Sequence, residues 1–216
     1  PYFIGVDVGT GSARAGVFNE AGELLAAQAT SFSLYRPRAD YVEQSSTEIW
    51  SAVAASVREA VSRSQSNVEI EGIGFDATCS LVATTAEGEP VTVSPTGDDN
   101  KNIIVWMDHR AIAEAAEINA RGHDVLRYVG AAISPEMETP KLLWLKRHMP
   151  DSFARAEAFF DLPDWLVWRA SGAPRAVALQ HSLQMAYRGQ DGLDGQGWGA
   201  SYFESIGLGE LVGSRK

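Results

Sequence analysis

A short segment near the start of the chain combines residue types that could hold a phosphate group. The apolar residues 2–8 predict a buried strand with one carboxylate, Asp7, near its end. The turn that follows contains two glycines and two hydroxyls: Gly9, Thr10, Gly11 and Ser12. Successive backbone N–H groups in such a turn can form an anion-binding concavity, and a carboxylate beside it can hold Mg²⁺ directly or through water. The segment is a candidate phosphate cradle, although an ordinary hairpin with Asp7 as a turn cap has the same pattern.

This turn differs from the two common nucleotide-binding motifs. Residues 13–19 predict a second strand directly after the glycines, and another turn follows at residues 20–23. A Rossmann fingerprint or a P-loop requires a helix at that place. Both motifs are therefore disfavoured, and a glycine turn between two antiparallel strands remains.

Two later strands also end in side chains that could bind a ligand. The first leads into Asp76, Ala77 and Thr78, and the second into Trp106 and Asp108. Ligands of open α/β sheets collect at strand ends, and residues two apart on a strand share one face. An aromatic wall beside a carboxylate acceptor suits a polyol. Capping of a turn by Asp76 and of a helix by Asp108 are the alternatives.

The sequence contains no pattern typical of a zinc site or of a serine nucleophile. The histidines show no ligand spacing with cysteine or with carboxylates, so we expect them to be surface or capping residues. The motif Gly-x-Ser-x-Gly is absent.

The elements that must position these residues alternate between strands and helices. Further strands are predicted over residues 68–76, 81–85, 91–94, 103–107 and 158–161. Helices are predicted over residues 46–64, 108–121, 139–148, 151–156 and 163–170. Ser45 and Glu48 have capping-box spacing, and Thr139 with Pro140 predicts an N-cap followed by the first helical position. An opening antiparallel run followed by mixed elements predicts α/β layers rather than a helical bundle.

Composition limits the class of partner. With 216 residues, 45% of them hydrophobic, the chain can bury the core of one large domain. A net charge of -10 and a pI near 4.8 disfavour nucleic acid and anionic membranes as main partners. The single cysteine, Cys79, cannot form an intramolecular disulfide, and no apolar run is long enough to span a membrane, so a cytoplasmic location is expected. The sequence leaves open whether the chain forms a homodimer.

Several motifs together resemble one enzyme family. The opening hairpin is similar to the first phosphate motif of the actin, Hsp70 and sugar-kinase superfamily. Four later segments resemble the FGGY carbohydrate kinases, particularly the branch of ribulokinase and D-ribulose kinase; they cover residues 74–82, 105–111, 140–146 and 160–164. The resemblance extends over residues 2–172 and returns weakly over residues 201–211.

The resemblance implies a fold, cofactors and site residues. The fold is α/β of the ribonuclease-H-like type, with a mixed sheet flanked by helices, and the activity is transfer of phosphate from ATP, with Mg²⁺, to a ketopentose or pentitol such as ribulose. Asp7 would lie near Mg²⁺ and the γ-phosphate, and the glycine turn would shape the phosphate loop. Arg14 would reach phosphate or sugar, unless it is only an outward strand charge. Contacts to the sugar are expected from Asp76, Ala77, Thr78, Trp106, Asp108 and Glu136, of which Glu136 is equally well explained as a solvated loop residue.

The resemblance also implies that important parts lie outside residues 1–216. The family's catalytic base is an aspartate expected well beyond Leu211 and past Lys216, so no residue of this chain is predicted to be the base. The adenine pocket belongs mostly to a second domain. Since phosphoryl transfer needs both lobes, we expect this N-terminal sugar-binding lobe alone to have little or no kinase activity.

Two departures from the family pattern affect the substrate. Glycerol-kinase relatives carry Arg-Glu where this chain has Cys79-Ser80, which argues against glycerol. Residues 179–187 lack the Cys-Lys-Trp pattern of the ribulokinase-like branch, so the sugar contact of that lysine has no counterpart in the tail after Gly172.

Two other functions remain open from the sequence. One is a catalytically silent module that uses the same lobe to sense a sugar or to bind a partner. The other is a ribonuclease-H-like hydrolase in which Asp7 and Asp76 share Mg²⁺, because two acidic strand ends can build a two-metal site.

Overall fold

The structure of the chain, a computed structural model, describes residues 1–64, 69–172 and 199–213. Its strands are β1 (Tyr2–Val8), β2 (Ser12–Asn19), β3 (Leu24–Ser31), β4 (Glu43–Gln44), β5 (Ile70–Ala77), β6 (Leu81–Thr84), β7 (Ile103–Ile104) and β8 (Ala158–Asp161). Its helices are α1 (Ser46–Arg63), α2 (Ile112–Arg121), α3 (Glu138–His148), α4 (Pro150–Arg155), α5 (Leu162–Ser171), α6 (Ala200–Ser205) and α7 (Glu210–Gly213), with a 3₁₀ helix over Asp124–Val129. The strands form two four-stranded sheets, ordered β3-β2-β1-β5 and β4-β7-β6-β8.

The first sheet contains the predicted opening hairpin. β1 pairs antiparallel with β2 and parallel with β5, so the sheet is mixed. Alternate residues of β1, namely Ile4, Val6 and Val8, are buried because α1 covers their face of the sheet. The opposite face is open to solvent, and on it Phe3 is 43% and Leu24 56% exposed.

Helix α1 begins where the capping-box spacing predicts. Ser45 is the N-cap, and its side-chain oxygen accepts a hydrogen bond from the Glu48 N–H at 3.3 Å. The Glu48 carboxylate does not reach back to Ser45 but accepts from the Ser33 N–H at 2.9 Å and from the Tyr35 hydroxyl. The start of α1 is thereby tied to the segment that follows β3.

The sequence predicts three strands of the second sheet but not their assembly. All pairs in this sheet are antiparallel. One face packs with α2 and α3 around a core that includes Leu81, Ile104 and Leu142. The other face contributes Val82 and Phe160 to the core shared by α1 and the first sheet. The two sheets are therefore joined through packed apolar side chains.

Two predicted strands are shorter or less regular than expected. β7 ends at Ile104 rather than at residue 107, because residues 105–108 form a turn in which the Asp108 N–H donates to the Val105 carbonyl at 2.9 Å. Residues 91–94 form isolated backbone hydrogen bonds and no regular strand.

Helix α3 begins at Glu138, so Thr139 and Pro140 lie inside its first turn and not at the N-cap and first position, as predicted. Proline is accepted there because the first-turn N–H groups have no intrahelical acceptor. Among the helices that the structure describes, each is too short or too polar to cross a membrane.

Candidate functional site

The first part of the site consists of carboxylates on two neighbouring strands. Asp7 of β1 and Asp76 of β5 are partners in the parallel register, so both side chains lie on the open face of the first sheet. The Asp7 carboxylate forms a salt bridge with Arg14 of β2, with 2.9 Å between Oδ2 and Nη2. About half of each of these two side chains is exposed, 51% for Asp7 and 59% for Arg14. Both remain accessible to a ligand.

A cavity extends from these charges along the open face. Its volume is about 520 Å³, and the charged residues at one end are Asp7, Arg14 and Asp76. Its floor is formed by the glycines of three adjacent strands, Gly5, Gly16 and Gly74. The lack of side chains at these positions creates the depression, since a Cβ on Gly16 would lie 2.9 Å from the Phe18 and Leu24 side chains.

The glycine turn is a tight hairpin with free backbone donors. The Gly9 N–H donates to the Ser12 carbonyl at 3.0 Å, whereas the Thr10 and Gly11 N–H groups have no acceptor in the described part of the chain. Glycine at position 9 permits a close approach, because a Cβ there would lie 3.2 Å from Nη2 of Arg14. Neither glycine has a positive φ. The Gln44 side-chain amide donates to the Thr10 carbonyl at 2.6 Å and attaches the turn to the second sheet.

The second part of the site follows directly from β5. The half-buried Ala77 ends this strand, and the Thr78 hydroxyl lies 3.3 Å from the buried Ser80 hydroxyl. The Ser80 oxygen accepts the backbone N–H of Trp106 at 3.1 Å, and the Ser80 carbonyl accepts the Leu162 N–H at 3.0 Å. Ser80 thus holds together three segments that end at this edge of the second sheet.

Trp106 lies in the turn after β7 and is only partly buried. Its indole Nε1 is buried and has no hydrogen-bond partner among the described residues. Glu136, in the loop before α3, approaches the same turn: its Oε1 lies 3.1 Å from Nε2 of His109. Thr78, Trp106 and Glu136 therefore belong to segments that meet, and each retains a side chain that a ligand can contact.

Asp108 belongs to the same turn as Trp106, but its side chain is buried in the core. Its carboxylate is fully buried and accepts two hydrogen bonds from the Arg110 guanidinium, at 2.9 and 2.8 Å, and one from the Val42 N–H at 2.6 Å. The interpretation of Asp108 as the N-cap of α2 is wrong, since α2 begins at Ile112 with no side-chain cap. With its oxygens so occupied, Asp108 is not grouped with Trp106.

Arg110 completes this buried network. Its guanidinium also binds Glu43 at 2.9 Å and the Val93 carbonyl at 2.7 Å. It packs over the rings of Tyr41 and Trp144, at 4.2 and 5.0 Å from their centroids. Burial raises the pKa of Glu43, although Arg110 opposes that shift.

Sequence reasoning missed a buried charged cluster beneath Trp106, formed by Glu138, Lys141, Asp161 and Asp164. The Lys141 ammonium donates to the Val105 carbonyl at 3.1 Å and lies 3.4 Å from the Trp106 carbonyl. Burial raises the pKa of Glu138 and lowers that of Lys141, and burial with the nearby Asp164 charge raises the pKa of Asp161 to about 7. The available signal was a lysine inside an otherwise apolar helical stretch.

Two predicted features of the site lie outside the residues that the structure describes. The departure over residues 179–187 falls in the undescribed range 173–198. Lys216 also lies outside the described residues, which end at 213, and so does the catalytic aspartate expected beyond it; the prediction that the base follows Lys216 stays a prediction.

The described residues contain no ready-made metal centre. No group of three or more metal-ligating side chains occurs within residues 1–64, 69–172 and 199–213. A divalent cation near Asp7 would therefore need oxygens from a bound phosphate or from water.

Comparison with known proteins gives a consistent result. Residues 2–186 match the N-terminal domain of the FGGY family of carbohydrate kinases. An FGGY carbohydrate kinase domain-containing protein of Homo sapiens is 40% identical over 98% of this chain and 37% of its own length. A D-ribulokinase of Saccharomyces cerevisiae is 43% identical over 98% of this chain and 30% of its own length. The chain thus spans about a third of the length of these relatives.

The fold recurs in solved structures. A ligand-bound xylulose kinase from Lactobacillus acidophilus superposes with a TM-score of 0.77 at 20% identity, over 96% of this chain and 40% of that one. The predicted α/β fold, a mixed sheet flanked by helices, is confirmed.

Proposed function

Because the chain belongs to the FGGY family of carbohydrate kinases, we propose that it is the N-terminal, sugar-binding lobe of an ATP-dependent kinase for a ketopentose or pentitol. The observation that carries the proposal is the short path between the two parts of the site. Asp76 lies beside Asp7, and four residues later Ser80 holds the backbone of Trp106. A phosphate donor and a sugar acceptor would meet at these adjacent strand ends. The identity to a D-ribulokinase supports ribulose as the first substrate to test.

The phosphate would bind at the hairpin. The free N–H groups of Thr10 and Gly11 and the Arg14 guanidinium are donors suited to phosphate oxygens, and the hydroxyls of Thr10 and Ser12 add to them. Gly9 allows Arg14 to lie against the turn. The role of this part of the chain is to orient the polyphosphate and to neutralise its charge.

The residues present fit Mg²⁺. This ion is commonly held by one or two carboxylates together with phosphate oxygens and water, and Asp7 and Asp76 offer accessible carboxylates side by side. Asp7 would hold the ion, directly or through water. When bound, Mg²⁺ would neutralise charge on the phosphate groups.

The sugar would bind between Trp106 and the Thr78 loop. The partly exposed indole offers an apolar wall, Thr78 a hydroxyl, and Glu136 a carboxylate acceptor. Asp76 and Ala77 lie where the sugar and phosphate regions adjoin. Asp108 is left out of this proposed set because Arg110 and the Val42 N–H occupy its carboxylate.

Catalysis would depend on the rest of the protein. The chain spans about a third of the relatives described above, and we place the nucleotide lobe and the aspartate base beyond Lys216. Closure of the two lobes would exclude water from the phosphate being transferred. We therefore expect the 216-residue chain alone to be inactive.

The test is ADP release by the full-length protein over a panel of pentuloses and pentitols, with glycerol as a comparison substrate. We expect turnover with a ribulose-like substrate and little with glycerol. Asp7→Asn should lower kcat by roughly 10²-fold or more, because it removes a preorganised charge at the transferred phosphate. Glu20→Gln, an exposed carboxylate in the next turn, is the matched control and should leave kcat unchanged.

Absence of sugar-dependent ADP release with every substrate would overturn the kinase proposal. If calorimetry then detected sugar binding, the silent sensing module would be the correct interpretation.

A further inference from the structure

Lys141 is a buried charge whose ammonium is directed at the backbone next to Trp106. It lies on α3, in a stretch of buried residues that runs from Glu138 to Leu145, and its exposed fraction is 0%. Lysine is almost never fully buried unless it is paired, because its desolvation is costly. Its Nζ donates to the Val105 carbonyl at 3.1 Å and lies 3.4 Å from the Trp106 carbonyl. The position therefore needs an explanation beyond packing.

The backbone of Trp106 is held from both sides. Its N–H donates to the Ser80 hydroxyl at 3.1 Å, and its carbonyl faces the Lys141 ammonium. The turn itself is closed by the Asp108 N–H on the Val105 carbonyl, which also accepts from Lys141. Because the peptide groups on both sides of its Cα are held, the direction in which the Trp106 side chain leaves the backbone is fixed.

The indole N–H of Trp106 is an unusual group, because a buried donor normally has an acceptor. Its Nε1 is buried and without a hydrogen-bond partner among the described residues. A buried donor left unpaired is destabilising, so native proteins rarely keep one without a reason. Because Nε1 has no exposed surface, a ligand would contact the exposed part of the ring and would reach this N–H only after the indole turned.

Burial lowers the pKa of the Lys141 ammonium, and the carboxylates around it oppose that shift. Glu138 lies one helical turn away on α3, and Asp108 faces Lys141 from the turn after β7. Arg110, from the same region as Asp108, acts in the opposite direction, and Cys79 approaches from the loop after β5. The Glu138 carboxylate has no hydrogen-bond partner among the described residues, so its main interaction with Lys141 is electrostatic.

We propose that Lys141 is a positioning residue for the sugar site: its ammonium fixes the turn of Trp106 so that the exposed part of the indole ring faces the substrate. This inference deepens the proposed function and rests on it, since it assumes that Trp106 contacts the sugar. Lys141 itself does not touch the substrate.

The experiment uses the full-length protein labelled with 5-fluorotryptophan. The fluorine resonance of Trp106 is identified as the one missing from Trp106→Phe. Lys141→Met keeps the length of the side chain and removes the ammonium. Lys146→Met is the matched control on the same helix, because Lys146 is partly exposed and bonds to the Gly207 carbonyl and to Glu210.

We expect Lys141→Met to shift or broaden the Trp106 resonance and to raise KM for the sugar at least about tenfold, while KM for ATP changes less than about twofold. Lys146→Met should leave the Trp106 resonance and both constants unchanged. A Trp106 resonance and a sugar KM equal to those of the parent in Lys141→Met would overturn the proposal.

Two further outcomes are also decisive. If Lys141→Met does not fold, the same measurements are made on Lys141→Gln, which keeps an N–H donor. If neither variant folds, the role of Lys141 is in stability alone and the proposal is overturned. If Trp106→Phe leaves the sugar KM unchanged, the proposed sugar site is wrong, and the positioning proposal fails with it. That result is distinguishable, because Lys141→Met would still move the Trp106 resonance.

Discussion

Replacing Arg110 by methionine should destabilise the fold more than any exposed charge substitution. The variant removes the guanidinium that bonds to Asp108 and Glu43, two carboxylates with 0% exposure. It retains the volume of the side chain and thus the contact with the Tyr41 and Trp144 rings. The charge, rather than the packing, is therefore tested.

The magnitude follows from the burial of the two acids. Removing one partner of a buried ion pair costs about 3–5 kcal/mol, because the remaining charge is left uncompensated. Burial already raises the pKa of Glu43, and loss of the opposing Arg110 charge raises it further, which offsets part of the cost. Asp108 keeps the Val42 N–H and the Arg110 backbone N–H, at 2.6 and 2.9 Å. We expect a loss near the lower limit, about 3 kcal/mol.

The assay is equilibrium urea unfolding of parent and variant, followed by tryptophan fluorescence and by circular dichroism. Arg155→Met is the matched control: its salt bridge with Asp99 is exposed and 2.8 Å long, so its loss should cost less than about 1 kcal/mol. Arg110→Lys should be intermediate, since lysine keeps the charge without the two-pronged geometry. Equal losses for Arg110→Met and Arg155→Met would refute the reasoning, and so would an Asp108→Asn variant that changes the sugar KM without changing stability.

Three other predictions concern the buried carboxylate of Asp161, the backbone conformation at two glycines, and the Ser80 contact to Trp106. The pKa of Asp161 is raised to about 7 from an unfolded value near 4, so the folded state binds the proton more tightly than the unfolded state. The free energy of unfolding should therefore fall by up to about 1.4 kcal/mol per pH unit as the pH rises from about 4 to about 7. Urea midpoints measured against pH should show this slope, and Asp161→Asn should reduce it. Gly88→Ala should lower the free energy of unfolding by about 2 kcal/mol or more in the same assay, because φ of Gly88 is +91° and a Cβ there would lie 2.4 Å from Trp168. Gly97→Ala should lower it by about 1 kcal/mol, because φ is +75° but the space around the new Cβ is open. Ser80→Ala should raise the sugar KM in a steady-state assay, because the partly buried backbone N–H of Trp106 loses its acceptor, and an unchanged KM would contradict the assigned contact.

The local elements could be predicted because their signals are local. The apolar alternation of residues 2–8 and the Ser45 cap depend on neighbours in sequence, and both are confirmed. The end of β7 could not be predicted, because Ile103 to Met107 are apolar throughout and only the Asp108 turn stops the strand.

The candidate site shows the same limit. Pairing of Asp7 with Asp76 follows from two parallel strand ends, which sequence reasoning can anticipate. Sequence reasoning could not anticipate that Asp108 is buried while Trp106 stays partly exposed, since two residues on one strand face were expected to bind the ligand together. The Asp108 carboxylate is buried because it bonds to a residue distant in sequence: the Val42 N–H, 66 positions away, donates to it. No local sequence pattern indicates such a contact.

The open face of the first sheet has a practical consequence for anyone who purifies this chain. Phe3 and Leu24 are exposed on it, and β5, an edge strand of the described sheet, exposes 45% of Ile73 on the opposite face. Exposed apolar surface beside an unpaired strand edge favours self-association. The net charge of -10 opposes this by mutual repulsion, and salt screens that repulsion. The isolated 216-residue polypeptide should therefore keep its solubility in dilute buffer and lose it as ionic strength increases.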